Sequence, residues 1–315
     1  MAQLHSGVMP LWTIMGDKAL APVPFFVAGI MNLTPDSFSD GGKYEELNAA
    51  MLHVRQMVCD GAHIIDLGAE STRPGAEDIG AAKEMRRLIP VLEKTLLFRD
   101  ALVGSEADGG APPDYPPFAV SIDTFRAETA ALALSMGVDI INDVSGGTFE
   151  PEMAEVLADY KPGYVLGHSP SRPADMQVNP RYNNVVEDLL QYFDERMSAL
   201  VKAGLPESRI CLDPCIGFGK TVEHSLAIMA STERFASLGR PLYYGISRKS
   251  FLGCVTGYPK EDRDMHTQVA ISFLARQGVH IHRVHDVRAA VATLRLVSKL
   301  YSGQAAELPH CQSCA

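Results

Sequence analysis

Eight polar residues stand where short apolar runs end: Asn32, Asp66, Asp123, Asn142, His168, Asp213, Ser247 and His285. A lone Asp or Asn at such a place is as often a helix cap or a satisfied buried group. Eight in turn are harder to dismiss, since each one left unpaired would cost about 1–3 kcal/mol. Their types point to two chemistries. Asp123, Asn142 and Asp213, with Lys249, supply two acceptor-only carboxylates, a two-way amide and an ammonium. That mixture suits the edge of a flat heterocycle, where N–H donors adjoin ring acceptors. Nothing in the chain has zinc-ligand spacing. Asn32, Arg73, Arg283 and His285, with Arg248 nearby, form the second set. A guanidinium fork matches phosphate, and an amide oxygen suits a largely hydrated Mg2+. For Arg248 the plainer reading is a surface ion pair.

The segment Gly29 to Gly42, GIMNLTPDSFSDGG, leaves an apolar run and fills with hydroxyls, carboxylates, Pro and Gly around Phe38. A connection needs turn residues, but it does not need an amide, carboxylates and a Phe together, so a substrate loop is expected here.

The elements that must carry these residues alternate along the chain. Apolar strand-like runs are expected at 25–28, 63–67, 118–123, 138–144, 164–168, 210–214, 242–247 and 280–284. Helical stripes are expected at 45–59, 81–98, 125–136, 151–159, 185–203, 222–235, 262–277 and 287–301. Eight strand–helix units favour a single-domain (β/α)8 TIM barrel, which places functional groups at strand C-termini and in the loops after them. An open doubly wound sheet is the runner-up, but no GxGxxG follows the first strand and no GxxxxGK[ST] occurs. Residues 1–24 read as an irregular or hairpin-like lead-in, with Trp12 capping one end of the core. The barrel spans 25–303, with a Gly/Pro/Asp/Ala-rich surface insertion at about 100–117 and a disordered tail at 304–315. In that tail the CxxC spacing of Cys311 and Cys314 is incidental.

At 315 residues, 46% hydrophobic and 21% charged, the composition is that of a globular protein. A net charge of −10 with no basic tract argues against nucleic acid as partner, so cations for an anionic substrate must be gathered locally. No apolar run reaches the ~20 residues of a membrane span. No basic segment precedes an apolar one at the N-terminus, and six scattered cysteines are no disulfide framework, so a reduced cytoplasmic setting is expected.

Six blocks, taken together and in order, resemble the dihydropteroate synthase family. They are GIMNLTPDSFSDGG (29–42), DLGAESTRPG (66–75), SIDT (121–124), INDVSG (141–146), LDPCIGFGK (212–220), and the pair GISRKSF (245–251) with RVHDV (283–287). The resemblance implies a (β/α)8 barrel that joins 6-hydroxymethyl-7,8-dihydropterin diphosphate to 4-aminobenzoate, giving 7,8-dihydropteroate and pyrophosphate in folate synthesis. It assigns the pterin to Asp123, Asn142, Asp213, Lys249 and Phe218. Diphosphate goes to Asn32, Thr72, Arg73, Arg283 and His285, with Asn32 also on Mg2+. It places aminobenzoate, and the sulfonamides that imitate it, near Thr34, Asp36, Phe38, Arg73, Pro74, Phe218 and Ser247. It also suggests a homodimer using the late helices. The alternatives are a pterin-binding methyltransferase acting on methyltetrahydrofolate, and a non-catalytic pterin-binding homologue.

Three departures stand out: Ala69 where the family usually has Gly, Cys215 where it has Gly, and Gly167 where a Met precedes the His. If position 215 needs positive φ, Cys would strain it. The missing Met would remove an apolar wall of the pterin pocket.

Overall fold

The computed structural model describes residues 11–20, 24–33, 43–71, 75–107 and 117–302. A two-stranded antiparallel hairpin comes first, β1 Trp12–Thr13 and β2 Ala19–Leu20. Eight parallel strands follow: β3 Phe26–Asn32, β4 Ile64–Gly68, β5 Ala119–Asp123, β6 Ile140–Asp143, β7 Gly163–Gly167, β8 Ile210–Asp213, β9 Tyr243–Tyr244 and β10 Ile281–Val284. They lie in the order β8-β7-β6-β5-β4-β3-β10-β9. A bridge between Leu212 and Leu242 joins the two ends, so the sheet closes into the expected barrel.

The helices between them are α1 Lys43–Cys59, α2 Ala81–Ala107, α3 Ala127–Ser135, α4 Met153–Tyr160, α5 Val185–Ala203, α6 Val222–Ala230, α7 Thr232–Ala236, α8 Ser250–Thr256, α9 Asp264–Arg276 and α10 Val287–Ser302. Apolar faces of both layers meet in the main core, where Met57, Leu92, Leu134, Phe193, Leu274 and Leu294 are buried against outward-facing strand residues such as Ile65, Ile141 and Leu212.

Inside the barrel the strands alternate with period two. Phe26, Ala28, Ile64, Ala119, Ile140, Val165, Cys211, Tyr243 and Ile281 form a separate inner cluster with Trp12 and Ile14 of the hairpin. Trp12 is fully buried and donates its indole N–H to Arg209 O at 2.8 Å, so the lead-in plugs the N-terminal end of the barrel. Two residues further along the strands the inward positions become Asp66, Ser121, Asn142, Gly167, Asp213, Gly245 and Arg283. That change of polarity places the site.

Two expectations are corrected. The second helix does not stop at Phe98 but runs through Ala107, despite Pro90 within it. Leu102 is buried in the main core, and Phe98 packs on Phe118 with ring centroids 5.7 Å apart, so apolar anchoring carries the helix into the segment read as insertion. The remainder, 108–116, lies outside the described residues, as does the tail from 303. The helix expected over 222–235 is broken at Ser231, where the buried Thr232 hydroxyl donates back to Met229 O at 2.9 Å and competes with the backbone ladder. Among the described residues no helix is long and apolar enough to cross a membrane.

Candidate active site

A cleft of about 500 Å³ opens at the C-terminal mouth of the barrel, walled by Asn32, Phe218, Ser247, Lys249, Arg283 and His285. Each reaches it from a strand end or the loop just after, as the barrel demands. Strand register sets Asp123 beside Asn142 and Gly167 beside Asp213, which groups the expected heterocycle-binding carboxylates and amide along one arc of the sheet, from β5 to β8.

Arg283 joins the two expected sets. Its Nε donates to Asp66 Oδ2 at 2.6 Å, and Nη2 donates to Asp123 Oδ2 at 2.7 Å. Asp66 Oδ2 also accepts from Asn142 Nδ2 at 3.1 Å. Burial alone would lower the guanidinium's pKa, but the two carboxylates outweigh it and raise it, so the group stays a cation. Burial raises the Asp123 carboxyl to about 7 against the opposing pull of Arg283. Asp123 Oδ1 is buried and has no protein donor, and a heterocycle's N–H edge would satisfy it.

Asp213 is raised by burial and held back by Lys249, while Lys249 is lowered by burial and held back by Asp213. Asp213 Oδ1 accepts from the Cys215 backbone N–H at 2.7 Å. The Lys249 ammonium donates to Ile216 O and stands 4.1 Å from the centre of the Phe218 ring. Ser247 Oγ accepts from the His285 backbone N–H at 3.2 Å and meets His285 Nδ1 at 2.9 Å. Burial and then Arg283 lower His285 to about 3, so its imidazole is neutral at physiological pH and acts as a hydrogen-bonding group, not as a cation.

Asn32, Asp123, Asn142, Asp213, Phe218, Ser247, Lys249, Arg283 and His285 thus gather around one mouth. Thr34, Asp36, Phe38, Thr72, Arg73 and Pro74 lie outside the described residues. Arg248 makes the ion pair that its plainer reading expects, with Nε 2.6 Å and Nη2 2.7 Å from the two oxygens of Asp264.

Three features escape the sequence reading. Asp66, placed at a strand end but given no partner there, ties Arg283 to Asn142. Asp143, buried beside Asn142, accepts from Ser145 N at 2.8 Å, Gly147 N at 2.8 Å and Tyr164 Oη at 2.8 Å, fixing the turn after β6. Its place in the INDVSG block was the only signal. The third is Arg126, buried before α3, which pairs with Glu70 and Glu84 and with the more exposed Asp78. No local pattern announces it, because its partners lie 42 to 56 residues away.

The three departures now have physical readings. Ala69 keeps an ordinary negative φ, and its carbonyl accepts from Arg87 at 3.1 Å, so Ala is unstrained there. Cys215 does sit at φ 51°, the left-handed region that glycine occupies freely. At Gly167 a Cβ would stand 2.5 Å from Asp143 O, so this backbone packing admits only glycine.

The pterin binding enzyme family matches residues 28–105 and 107–285 of the chain. The dihydropteroate synthase of Bacillus subtilis is 40% identical over 274 residues, covering 87% of this chain and 88% of that one. The Synechocystis enzyme is 38% identical over 277 residues, covering 88% and 90%. Among solved structures, Yersinia pestis dihydropteroate synthase with a sulfonamide drug complex superposes with a TM-score of 0.80 at 32% identity, over 93% of this chain and 99% of that one. Xanthomonas albilineans dihydropteroate synthase in complex with 7,8-dihydropteroate gives 0.76 at 30% identity, over 93% and 100%. With matches spanning nearly the whole barrel, and the strand-end residues of the family's blocks converging on one cleft, this chain belongs to the pterin-binding enzymes and, among them, to the dihydropteroate synthase family.

Proposed function

We propose that the cleft carries out the dihydropteroate synthase reaction with the roles that follow. The observation that carries this reading is the pairing of two recognition sets through one residue: Arg283 is bonded to Asp123 of the heterocycle set and also lines the cleft with Asn32 and His285. Asp123, Asn142 and Asp213 hold the pterin's donor and acceptor edge, with Lys249 on a carbonyl or ring nitrogen. Arg283, pinned at Nε and Nη2, keeps Nη1 for a leaving-group oxygen. The neutral His285 donates a further hydrogen bond.

The amine nitrogen of 4-aminobenzoate attacks the pterin methylene carbon. The carbon–oxygen bond to diphosphate breaks, pyrophosphate leaves with the electron pair, and the amine proton passes to solvent. No covalent enzyme intermediate is needed, because a neutral arylamine is already nucleophilic. The protein contributes alignment of the two substrates and stabilisation of charge growing on the leaving oxygens.

Mg2+ fits this donor set as a passenger of the diphosphate. Among the described residues no three of His, Cys, Asp and Glu gather as a metal cage, whereas Asn32 offers one hard amide oxygen at the strand end. Mg2+ is commonly held by one or two protein oxygens plus phosphates and water, and when bound it would neutralise diphosphate charge.

On α9 the exposed Met265, Val269 and Phe273 recur at helical spacing, and on the adjoining α10 Leu296 and Leu300 are exposed as well. Such an apolar face supports a homodimer. Cys59, Cys211, Cys215 and Cys254 are all free thiols, which supports a reducing, cytoplasmic setting.

The test is the purified protein with the pterin diphosphate, 4-aminobenzoate and Mg2+. Dihydropteroate is expected. Pterin binding without product would favour a binding homologue, and methyl transfer from methyltetrahydrofolate would favour the methyltransferase.

A further inference from the structure

The turn after β8 carries Phe218 and is built against its own preference. Cys215, Gly217 and Gly219 have φ of 51°, 84° and 57°, and a non-glycine residue in that region costs about 1 kcal/mol. Four successive carbonyls of this turn each accept from a different side chain. Ile216 O takes Lys249, Gly217 O takes Gln177 Nε2 at 2.6 Å, Phe218 O takes Lys220 Nζ at 2.9 Å, and Gly219 O takes Tyr182 Oη at 2.9 Å. Carbonyls at an open mouth could be satisfied by water, so four side-chain donors in a row serve to hold a shape.

Two donors come from the stretch between β7 and α5, residues 168–184, which in sequence is only a long polar loop. The same stretch packs directly on the turn, since a Cβ at Gly219 would lie 2.3 Å from Pro170 Cγ. Lys220 ties the two segments together. Its buried Nζ also meets His168 O at 3.0 Å and His168 Nδ1 at 3.1 Å, so all three ammonium donors are used across the β7–β8 boundary.

We infer that the loop after β7 is a scaffold for the Phe218 ring, with Gln177, Tyr182 and Lys220 as positioning residues for the arylamine substrate; this rests on the function proposed above. The two substrates depend on the turn unequally. Phe218 is assigned to both substrates, but the pterin is anchored chiefly by hydrogen bonds from rigid strand ends at Asp123, Asn142 and Asp213. The arylamine is a small flat ring, and its alignment depends on the aromatic wall beside it.

Gln177→Ala alters an exposed side chain and Tyr182→Phe removes a single hydroxyl, so both leave the fold intact. Each should raise KM for 4-aminobenzoate about 3–10-fold, the worth of one net hydrogen bond, while KM for the pterin diphosphate stays at its wild-type value and Tm falls by no more than about 4 °C. In a Phe218→Ala background the same substitutions should have no further effect, because they act through that ring. Equal rises in both KM values, effects that persist without Phe218, or wild-type kinetics in both variants would each overturn the inference. Failure of the function itself would show earlier, as no dihydropteroate from the wild type, and would overturn both.

Discussion

The two ends of this barrel use the same eight strands to opposite purposes. At the N-terminal end the inward positions are mostly apolar and closed by Trp12 and Ile14, and polar contacts are few: the indole N–H on Arg209 O, the Cys211 thiol on Pro241 O at 3.2 Å and the Arg209 guanidinium on Ile14 O. Further along, the inward positions carry Asp66, Asp123, Asn142, Asp213 and Arg283, and hydrogen bonds of 2.6 to 3.1 Å link Asp66, Asp123, Asn142 and Arg283. The first end gains free energy from burial. The second spends part of it, since Asp123 and Asp213 are buried and raised, and Asp66 and Asp123 each keep one oxygen without a protein donor. A ligand that bonds those two oxygens would recover part of that cost.

Substitutions at the two ends should therefore separate binding from stability. The largest effect is expected for Asp213→Ala, which removes a carboxylate placed for two adjacent N–H donors. Pterin affinity should fall about 1,000-fold or more, since charge-assisted hydrogen bonds are worth about 1.5–3 kcal/mol each. Isothermal titration reads this directly, and near-normal affinity would show the pterin to bind elsewhere. The unfolding free energy should change less than the binding free energy, because relief of the buried carboxylate offsets part of what is lost at the Cys215 N–H and beside the Lys249 ammonium.

Trp12→Ala should do the reverse. Emptying the plugged end should cost about 3–5 kcal/mol of stability by denaturant titration. Pterin affinity of the folded protein should stay at the wild-type value; a parallel loss would mean that the two ends are mechanically coupled.

The smallest effect is a pH dependence confined to the polar end. Asp123 is raised from 3.8 to about 7 in the folded chain, so its contribution to stability is fully present below 3.8 and is lost as pH rises through about 7. Pterin binding needs the carboxylate and follows the opposite slope. Affinity should fall about tenfold per pH unit below about 7, with proton release on binding. Asp123→Asn should flatten that slope, whereas Trp12→Ala should leave it intact.

Much of the polar end was readable from the chain because a parallel barrel puts strand termini in one place. A polar residue behind each apolar run therefore needs no contact map to be located. The helix ends were less readable. Leu102 extends α2 through packing that no local period reveals, and the Thr232 hydroxyl breaks a stripe that looks continuous. The strain at Cys215 could be anticipated only as a condition on φ, and the glycine at 167 only as a departure, until the backbone of Asp143 was seen against it.

By itself the sequence determines the alternation of eight strands and helices, the polar group at each strand end, and the family blocks that name the two substrates. Those are local quantities: period, residue type and order. Which groups share a proton, a charge or a hydrogen bond was decided only by the tertiary structure. Arg283 meets Asp66 across 217 residues and Asp123 across 160, and Gln177 meets Gly217 across 40. Chain closure alone brings such partners together, and the burial it imposes then moves the carboxyl of Asp123 to about 7 and the imidazole of His285 to about 3.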